Sequence, residues 1–139
     1  MKQTEELAVI GKAKELIEFT YKITANVASD SNRQALSIVD KIERLSMCIC
    51  ESLIYANECN MLDFYEKPKR LDFQQKVIVL CKMLNALIAL SYRLKIFNIS
   101  SESVESWCGL SLEIKRMTAA WRNNDRRQHD KQNTINNGE

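Results

Sequence analysis

The sequence predicts an all-α protein, an up-down-up-down antiparallel four-helix bundle that assembles into a ring-like homo-oligomer. Only 3 glycines and 1 proline occur in 139 residues, whereas β-sandwiches and barrels place these residues at their many turns. Apolar residues recur every three or four positions in four separate stretches, which is the period of an amphipathic helix. Helices of about 24–30 residues joined by short connections pack antiparallel to their neighbours, which gives the bundle.

The length and composition indicate one globular domain. A chain of 139 residues with 45% hydrophobic and 27% charged residues is ordinary for a single core. The apolar rhythm stops after Trp121, and the remainder is rich in Asn, Gln and basic residues. We therefore expect a four-helix bundle over residues 1–124 and a flexible polar and basic C-terminal tail over residues 125–139.

The first two helices are predicted from Thr4 to Val27 and from Ser31 to about Cys59. Ser31 and Gln34 have the spacing of a capping box, in which a hydroxyl and an amide satisfy free backbone N–H groups at a helix start. The second helix carries its main apolar stripe and also a second apolar line on another side: Leu36, Met47, Cys50 and Ile54. A helix in an isolated bundle needs one stripe, so the second line indicates contact with another subunit.

The third helix is predicted from about Lys69 to Phe97, with Pro68 in its first turn. From Val77 onward it is apolar almost all round, as expected of a helix that is central or lies in an oligomer. The predicted interface residues on the second and third helices are Leu36, Met47, Ile54, Ile78 and Val79.

A membrane anchor is not predicted. The longest apolar stretch, Val77 to Tyr92, is interrupted by Lys82 and Asn85 and is shorter than the ~18–20 residues that a span requires. The first residues lead directly into an amphipathic pattern without a signal segment, and the 5 cysteines suggest a reducing compartment. We therefore expect a cytoplasmic protein.

The fourth helix is predicted to begin after Ser100, which caps it. Its inward face follows the helical period: Val104, Trp107, Ser111, Ile114, Thr118 and Trp121. The charges are unevenly distributed along the chain: residues 1–66 carry −4 and residues 67–139 carry +6. The end of the fourth helix is part of this basic half. The basic residues selected as contacts for an anionic partner are Arg93, Lys115, Arg116, Arg122, Arg126 and Arg127.

Two interpretations of this basic end remain open. On a continuing helix Lys115, Arg122 and Arg126 fall within about 40° of one another and can follow phosphates, with Trp121 or Tyr92 as possible stacking partners. Alternatively, the cations are a solvated surface placed favourably at a helix C-terminus. The dipole explains two or three of the cations over residues 115–131, but hardly all six of them: Lys115, Arg116, Arg122, Arg126, Arg127 and Lys131.

Catalytic and metal-binding chemistry is not supported by the residue pattern. The single histidine, His129, lies in the predicted tail, where nothing holds it near a nucleophile. A di-iron bundle needs a Glu-x-x-His on each of two helices, which one histidine cannot supply. Cys48 and Cys50 would point about 200° apart on a helix, so they cannot easily share a metal. We predict no enzyme activity, no metal and no cofactor, and a metal or redox protein that uses the cysteines is the least favoured class.

Two parts of the sequence resemble a known family. The segment Lys12-Ala-Lys14-Glu-Leu-Ile17 and the stretch from Leu36 to Asn60 are similar to the four-helix-bundle family named after a protein encoded in an intervening sequence of 23S ribosomal RNA genes. Leu87-Ile-Ala-Leu-Ser-Tyr-Arg93-Leu94 and the segment from Ile114 through Trp121 to Arg127 resemble the accessory variability determinants of diversity-generating retroelements. The resemblance covers roughly residues 7–127.

The resemblance implies a homopentameric barrel that associates with the reverse transcriptase of the element and with RNA or DNA. Members of this family are not enzymes, and they are needed for mutagenic copying of the template RNA. The net charge is only +2, whereas a strongly basic member would bind nucleic acid more firmly. This difference weakens the expectation of nucleic-acid binding more than the expectation of assembly. The competing hypothesis is an oligomeric four-helix-bundle scaffold that binds only protein partners.

Overall fold

The computed structural model describes residues 2–27 and 32–137, and within them it has four helices. These are α1 (Lys2–Thr24), α2 (Arg33–Glu58), α3 (Glu66–Arg93) and α4 (Ser101–Asn137). The β pairing within the described residues is limited to an isolated antiparallel bridge between Val27 and Phe97. The all-α prediction is confirmed.

Each helix packs against two others, in the cyclic order α1, α2, α3, α4. The α3–α4 pair is antiparallel, because Arg70 contacts Asp125 near one end and the Ser111 hydroxyl donates to the Cys81 carbonyl further along. The α1–α4 pair is also antiparallel, because Thr20 contacts Trp107 and Lys12 contacts Glu113. The predicted four-helix bundle is confirmed. The ring assembly belongs to the proposed function below.

The core is continuous along the bundle and draws on all four helices. Apolar positions at helical spacing point inward, as the sequence predicts. The largest fully buried side chains include Leu16, Ile42, Ile49, Leu53, Leu84, Ile88, Trp107 and Ile114. Trp107, Ser111, Ile114, Thr118 and Trp121 are all buried, so the predicted inward face of α4 is confirmed, with Val104 half-buried at its edge.

Side-chain caps set where the helices begin. The Asn32 Oδ1 atom accepts the Ala35 N–H at 2.9 Å and caps α2, while the predicted capping residue Ser31 lies outside the described residues. The Ser100 hydroxyl accepts the Ser103 N–H at 3.1 Å, which confirms the predicted cap of α4. α3 begins at Glu66, three residues before the predicted start, because Asp63 caps it from the preceding connection.

α3 ends at Arg93 rather than at the predicted Phe97. The Ile96 N–H donates to the Ser91 carbonyl at 3.0 Å and the Lys95 N–H to the Tyr92 carbonyl at 3.1 Å. This pattern is a Schellman motif, and Lys95 occupies its left-handed position with φ of 55°. The reversal turns Phe97 back into the core, against Trp107.

α4 is longer than predicted and continues to Asn137. The segment predicted as a separate tail over residues 125–139 is therefore, as far as residue 137, a continuation of the helix. The predicted boundary also cuts through the core, because Asp125 is 0% exposed. The polar composition of this segment does not reveal that Asp125 is buried against Arg70.

By length and composition α3 is apolar enough to cross a membrane, and a third of its most apolar window is buried within the bundle. The core helix of a bundle meets the same criterion. The helix also carries Arg70 and Gln74 on its buried face. The expected absence of a membrane anchor stays a prediction.

Candidate nucleic-acid interface

Five of the six predicted basic residues lie together on α4. Arg116, Arg126 and Arg127 are exposed, while Lys115 and Arg122 are half-buried. Lys115, Arg122 and Arg126 form one line along the helix, and Arg116 and Arg127 form a second line about 100° further round. We call these five residues the basic arc. It covers about 140° of the outward side of α4.

The sixth predicted residue, Arg93, is not part of this arc. It is the last residue of α3, whereas Arg122 contacts the first turns of α3 at Leu71. The 22 positions between Leu71 and Arg93 correspond to about 33 Å of helix. Arg93 therefore lies at the opposite end of the bundle, beside the start of α4.

Arg122 is fixed in place at the flank of α3. Its Nε–H donates to the Leu71 carbonyl oxygen at 3.1 Å. A hydrogen bond from a charged donor contributes about 1.5–3 kcal/mol when it is shielded from water. This contact places the aliphatic part of the arginine in the groove between α3 and α4 and leaves its charge at the edge of the basic arc.

A buried cluster of charged and polar groups lies beneath the basic arc. Arg70 from α3 forms a two-pronged ion pair with Asp125 from α4, with Nε–Oδ2 at 2.8 Å and Nη2–Oδ1 at 3.3 Å. Gln74 donates from Nε2 to Asp125 Oδ2 at 2.7 Å. The Arg70 guanidinium also lies 4.8 Å from the centre of the Trp121 ring and donates from Nη1 to the Cys59 carbonyl. We call Arg70, Gln74, Trp121 and Asp125 the buried polar cluster.

This cluster satisfies most of the groups that it removes from water. An isolated buried charge costs several kcal/mol, and the cost is offset only by good geometry and further hydrogen bonds. The Asp125 carboxylate accepts three hydrogen bonds, whereas Gln74 Oε1 is buried with no hydrogen-bond partner. Because Asp125 is paired internally, its negative charge does not oppose the cations of the basic arc.

The sequence-based interpretation missed this cluster. It placed Asp125 in a tail and Arg70 among the surface cations. Two signals were present: Asp125 lies four residues after Trp121 on the inward face of α4, and Arg70 and Gln74 have the same spacing on α3. The Arg70–Asp125 contact brings the start of α3 against the later part of α4.

The two aromatic residues considered for stacking do not serve that purpose on the basic arc. Trp121 is 5% exposed and covers Arg70 from inside the core. Tyr92 is exposed but is the penultimate residue of α3, at the opposite end of the bundle. The exposed aromatic rings at the end where the basic arc lies include Phe64 and Tyr65, in the connection between α2 and α3, and Tyr55, near the end of α2.

The predicted interface residues have accessible side chains in a single subunit. Ile78 is half-buried, and the other four are exposed: Leu36, Met47, Ile54 and Val79. On α3, Val79 continues into an outward line with Met83, Ala86 and Leu90 at spacings of three and four residues. We call these four residues the α3 apolar stripe. Cys50, which the sequence placed on the second line of α2, is buried.

Burial favours the protonated thiol at four cysteines: Cys50, Cys59, Cys81 and Cys108. Burial raises the pKa of Cys50, Cys59 and Cys108, and it raises the pKa of Cys81 to about 11. Thiols with raised pKa values are weak nucleophiles near neutral pH. Within the part of the chain that the structure describes, no group of three or more His, Cys, Asp or Glu residues could hold a metal ion.

Comparisons with protein-family models, with curated proteins and with solved structures find no match to this chain.

Proposed function

We propose that this chain is a non-enzymatic accessory subunit of a diversity-generating retroelement. It binds the reverse transcriptase and the template RNA or DNA through a basic surface and so supports mutagenic reverse transcription. The observation that carries the nucleic-acid part of this proposal is the basic arc, five cations on a helix that extends beyond the core. The reverse transcriptase as partner rests on the sequence resemblance.

The basic arc has the dimensions of a phosphate-binding surface. From Lys115 to Arg127 the helix rises by about 18 Å, and its outward side carries five cations over that length. The acidic residue inside this segment, Asp125, is withdrawn into the buried polar cluster. Phosphates approaching the arc therefore meet arginine and lysine side chains without a carboxylate between them as far as Arg127.

Assembly with further copies of the chain is supported by apolar surface that one subunit leaves accessible. The α3 apolar stripe and the exposed residues of α2 would be buried between neighbouring bundles. Burying a large apolar side chain contributes roughly 1.5–3 kcal/mol, so several such residues can hold a stable oligomer. A homopentamer is the form that the resemblance implies.

The test of nucleic-acid binding is a charge reversal in the basic arc. The variant Arg122→Glu, Arg126→Glu and Arg127→Glu should weaken binding of a labelled RNA, measured by fluorescence anisotropy at several salt concentrations. If three phosphate contacts are lost, the slope of log affinity against log salt falls by about 2 for a single strand.

A charge-matched control carries the same change elsewhere. Lys14, Lys22 and Lys41 are exposed on α1 and α2, away from the basic arc, and their replacement by Glu lowers the net charge equally. This control should retain most of the binding. An equal loss in both variants would mean that only overall charge matters and would remove the assignment to the arc.

The second candidate function is a scaffold that binds only proteins, and the α3 apolar stripe is the observation that favours it. The two functions differ in their response to salt, because phosphate binding weakens steeply as salt rises while burial of apolar surface does not. Light scattering on the purified protein tests the shared expectation of a ring assembly. A monomer at micromolar concentration would contradict both.

A further inference from the structure

The connection between α2 and α3 exposes three large side chains next to one another. Leu62, Phe64 and Tyr65 are 84%, 82% and 78% exposed. These are the highest values among the large hydrophobic residues that the structure describes. Burying each of these side chains would stabilise the protein by roughly 1.5–3 kcal/mol. A cluster of them on the surface therefore indicates a contact with a partner.

The connection holds these side chains in place through its backbone. Asn60 Oδ1 accepts the Leu62 N–H at 2.9 Å, and Asp63 Oδ1 accepts the N–H groups of Tyr65 at 2.8 Å and Glu66 at 3.1 Å. These bonds are Asx turns, which fix the chain direction without any packing of the apolar groups. The rings of Phe64 and Tyr65 meet edge to face, with centroids 5.4 Å apart and planes at 87°. We call Phe64 and Tyr65 the exposed ring pair.

The exposed ring pair lies at the end of the bundle where α4 carries the last cations of the basic arc. Arg70 bonds both the Cys59 carbonyl at the start of the connection and Asp125 of α4. Asn60 and Met61 line a pocket of about 370 Å³ together with Gln128, the residue after Arg127. The connection and this end of α4 therefore lie next to each other at one end of the bundle, with Asp125 and Gln128 nearest to the connection.

We infer that this surface binds unpaired nucleotides, with bases stacked on Phe64 and Tyr65 and with phosphates held by Arg126 and Arg127. The inference rests on the proposed function and adds a preference for single strands. Aromatic faces accept any base by stacking, and a basic surface beside them follows the backbone. A duplex keeps its bases inside and offers no free faces to the rings, so it uses the cations alone.

A lipid surface fits the same residues less well. Asp63 and Glu66 flank the exposed ring pair in the sequence, and inserting the rings into a headgroup layer would also remove these carboxylates from water, which is costly for a charged group. Stacking of a base needs only a ring face, so the carboxylates can stay with the backbone N–H groups that they cap. Vesicle binding is accordingly one of the contrary outcomes of the test.

The experiment compares a labelled unstructured RNA of mixed sequence with its duplex, by fluorescence anisotropy. The wild-type protein should bind the single strand more tightly. The variant Phe64→Ala and Tyr65→Ala should lose about tenfold or more of its affinity for the single strand, because stacking contributes that much per base. Its affinity for the duplex should not change.

Two matched variants separate stacking from general apolar contact. Leu62→Ala removes an equally exposed apolar side chain from the same connection but no ring, and it should bind as the wild type does. Phe64→Leu with Tyr65→Leu keeps an apolar surface without aromatic faces and should behave like the alanine pair. All of these side chains are exposed, so helicity by circular dichroism should be unchanged.

The outcomes distinguish the two proposals. If the ring variants bind the single strand normally while the charge reversal in the basic arc weakens it, the ring inference is wrong and the proposed function stands. An equal loss on single strand and duplex also overturns the ring inference. If the wild-type protein binds neither RNA form, both proposals fail. Binding to vesicles of phosphatidylcholine and phosphatidylserine without RNA binding assigns the rings to a membrane.

Discussion

Two tryptophans on the same face of α4 occupy opposite kinds of environment. Trp107 and Trp121 are both buried and are separated by 14 positions, or about 21 Å of helix. Trp107 lies in a neutral site, where its Nε1–H donates to the Thr20 hydroxyl at 2.9 Å and its ring meets Phe97 edge to face at 5.7 Å. Trp121 lies under the Arg70 guanidinium, beside a buried carboxylate.

The contrast between the two tryptophan sites shows that one part of α4 packs through apolar contacts while another part carries the basic arc. At the Trp107 end, apolar contacts and one neutral hydrogen bond hold the helices together. At the Trp121 end, the sequence becomes polar, and a buried ion pair attaches α4 to α3. Together with the hydrogen bond from Arg122 to Leu71, this attachment sets the position of the arginines after Trp121 relative to the bundle. The buried polar cluster thus holds the basic arc and the start of α3 in register.

The largest expected effect is that of Asp125→Ala. It leaves the Arg70 guanidinium buried without its carboxylate, which costs about 3–5 kcal/mol of unfolding free energy. Urea denaturation followed by circular dichroism measures the change. A loss below 1 kcal/mol would show that the ion pair does not hold α4 against α3.

A paired apolar replacement is the control for this prediction. Arg70→Met together with Asp125→Leu removes both charges and should recover most of the lost stability, because buried ion pairs are often replaced by apolar pairs without net cost. If the double variant is as unstable as Asp125→Ala, the destabilisation comes from packing rather than from an uncompensated charge.

Trp107→Phe should cost about 1–3 kcal/mol, because it keeps an aromatic ring but removes the buried N–H donor to Thr20. The double variant with Thr20→Val should cost less than the sum of the two single changes, since neither partner is then left unsatisfied. Urea denaturation of the three variants gives the coupling. Additive effects would mean that the indole–hydroxyl bond contributes nothing of its own.

The helix caps at the two ends should have similar, smaller effects. Asp63→Ala at the Trp121 end and Ser100→Ala at the Trp107 end each remove a side-chain acceptor from a helix start. We expect a loss of about 1 kcal/mol for each by thermal or urea denaturation. A much larger effect of Asp63→Ala would indicate that the connection before α3 is strained in addition to being capped.

The smallest expected effect, and the one stabilising change, is Lys95→Gly. Lys95 has φ of 55°, where a side chain costs about 1–2 kcal/mol. Glycine removes this cost but gains flexibility in the unfolded chain, so we expect a net stabilisation of about 0.5 kcal/mol by urea denaturation. A loss of stability would show that the Lys95 side chain makes compensating contacts.

The candidate site was predictable only in part. The five cations of the basic arc follow from their spacing on a helix, which a sequence reveals directly. Arg93 was selected together with them, and sequence charge counts do not show that it lies about 33 Å of helix away from Leu71, the residue that Arg122 contacts. The exposed ring pair was passed over, since Phe64 and Tyr65 in a connection look like ordinary packing residues until their exposure is known.

The sequence by itself determined the number of helices, their inward faces and the antiparallel order, because a period of three to four residues and short connections allow few other arrangements. Only the tertiary structure decided where α4 ends, which charges are hidden and which rings are exposed. Burial is a property of the whole fold: Asp125 is in the core because Arg70 and Gln74 of α3 are opposite it, and no local pattern contains that pairing.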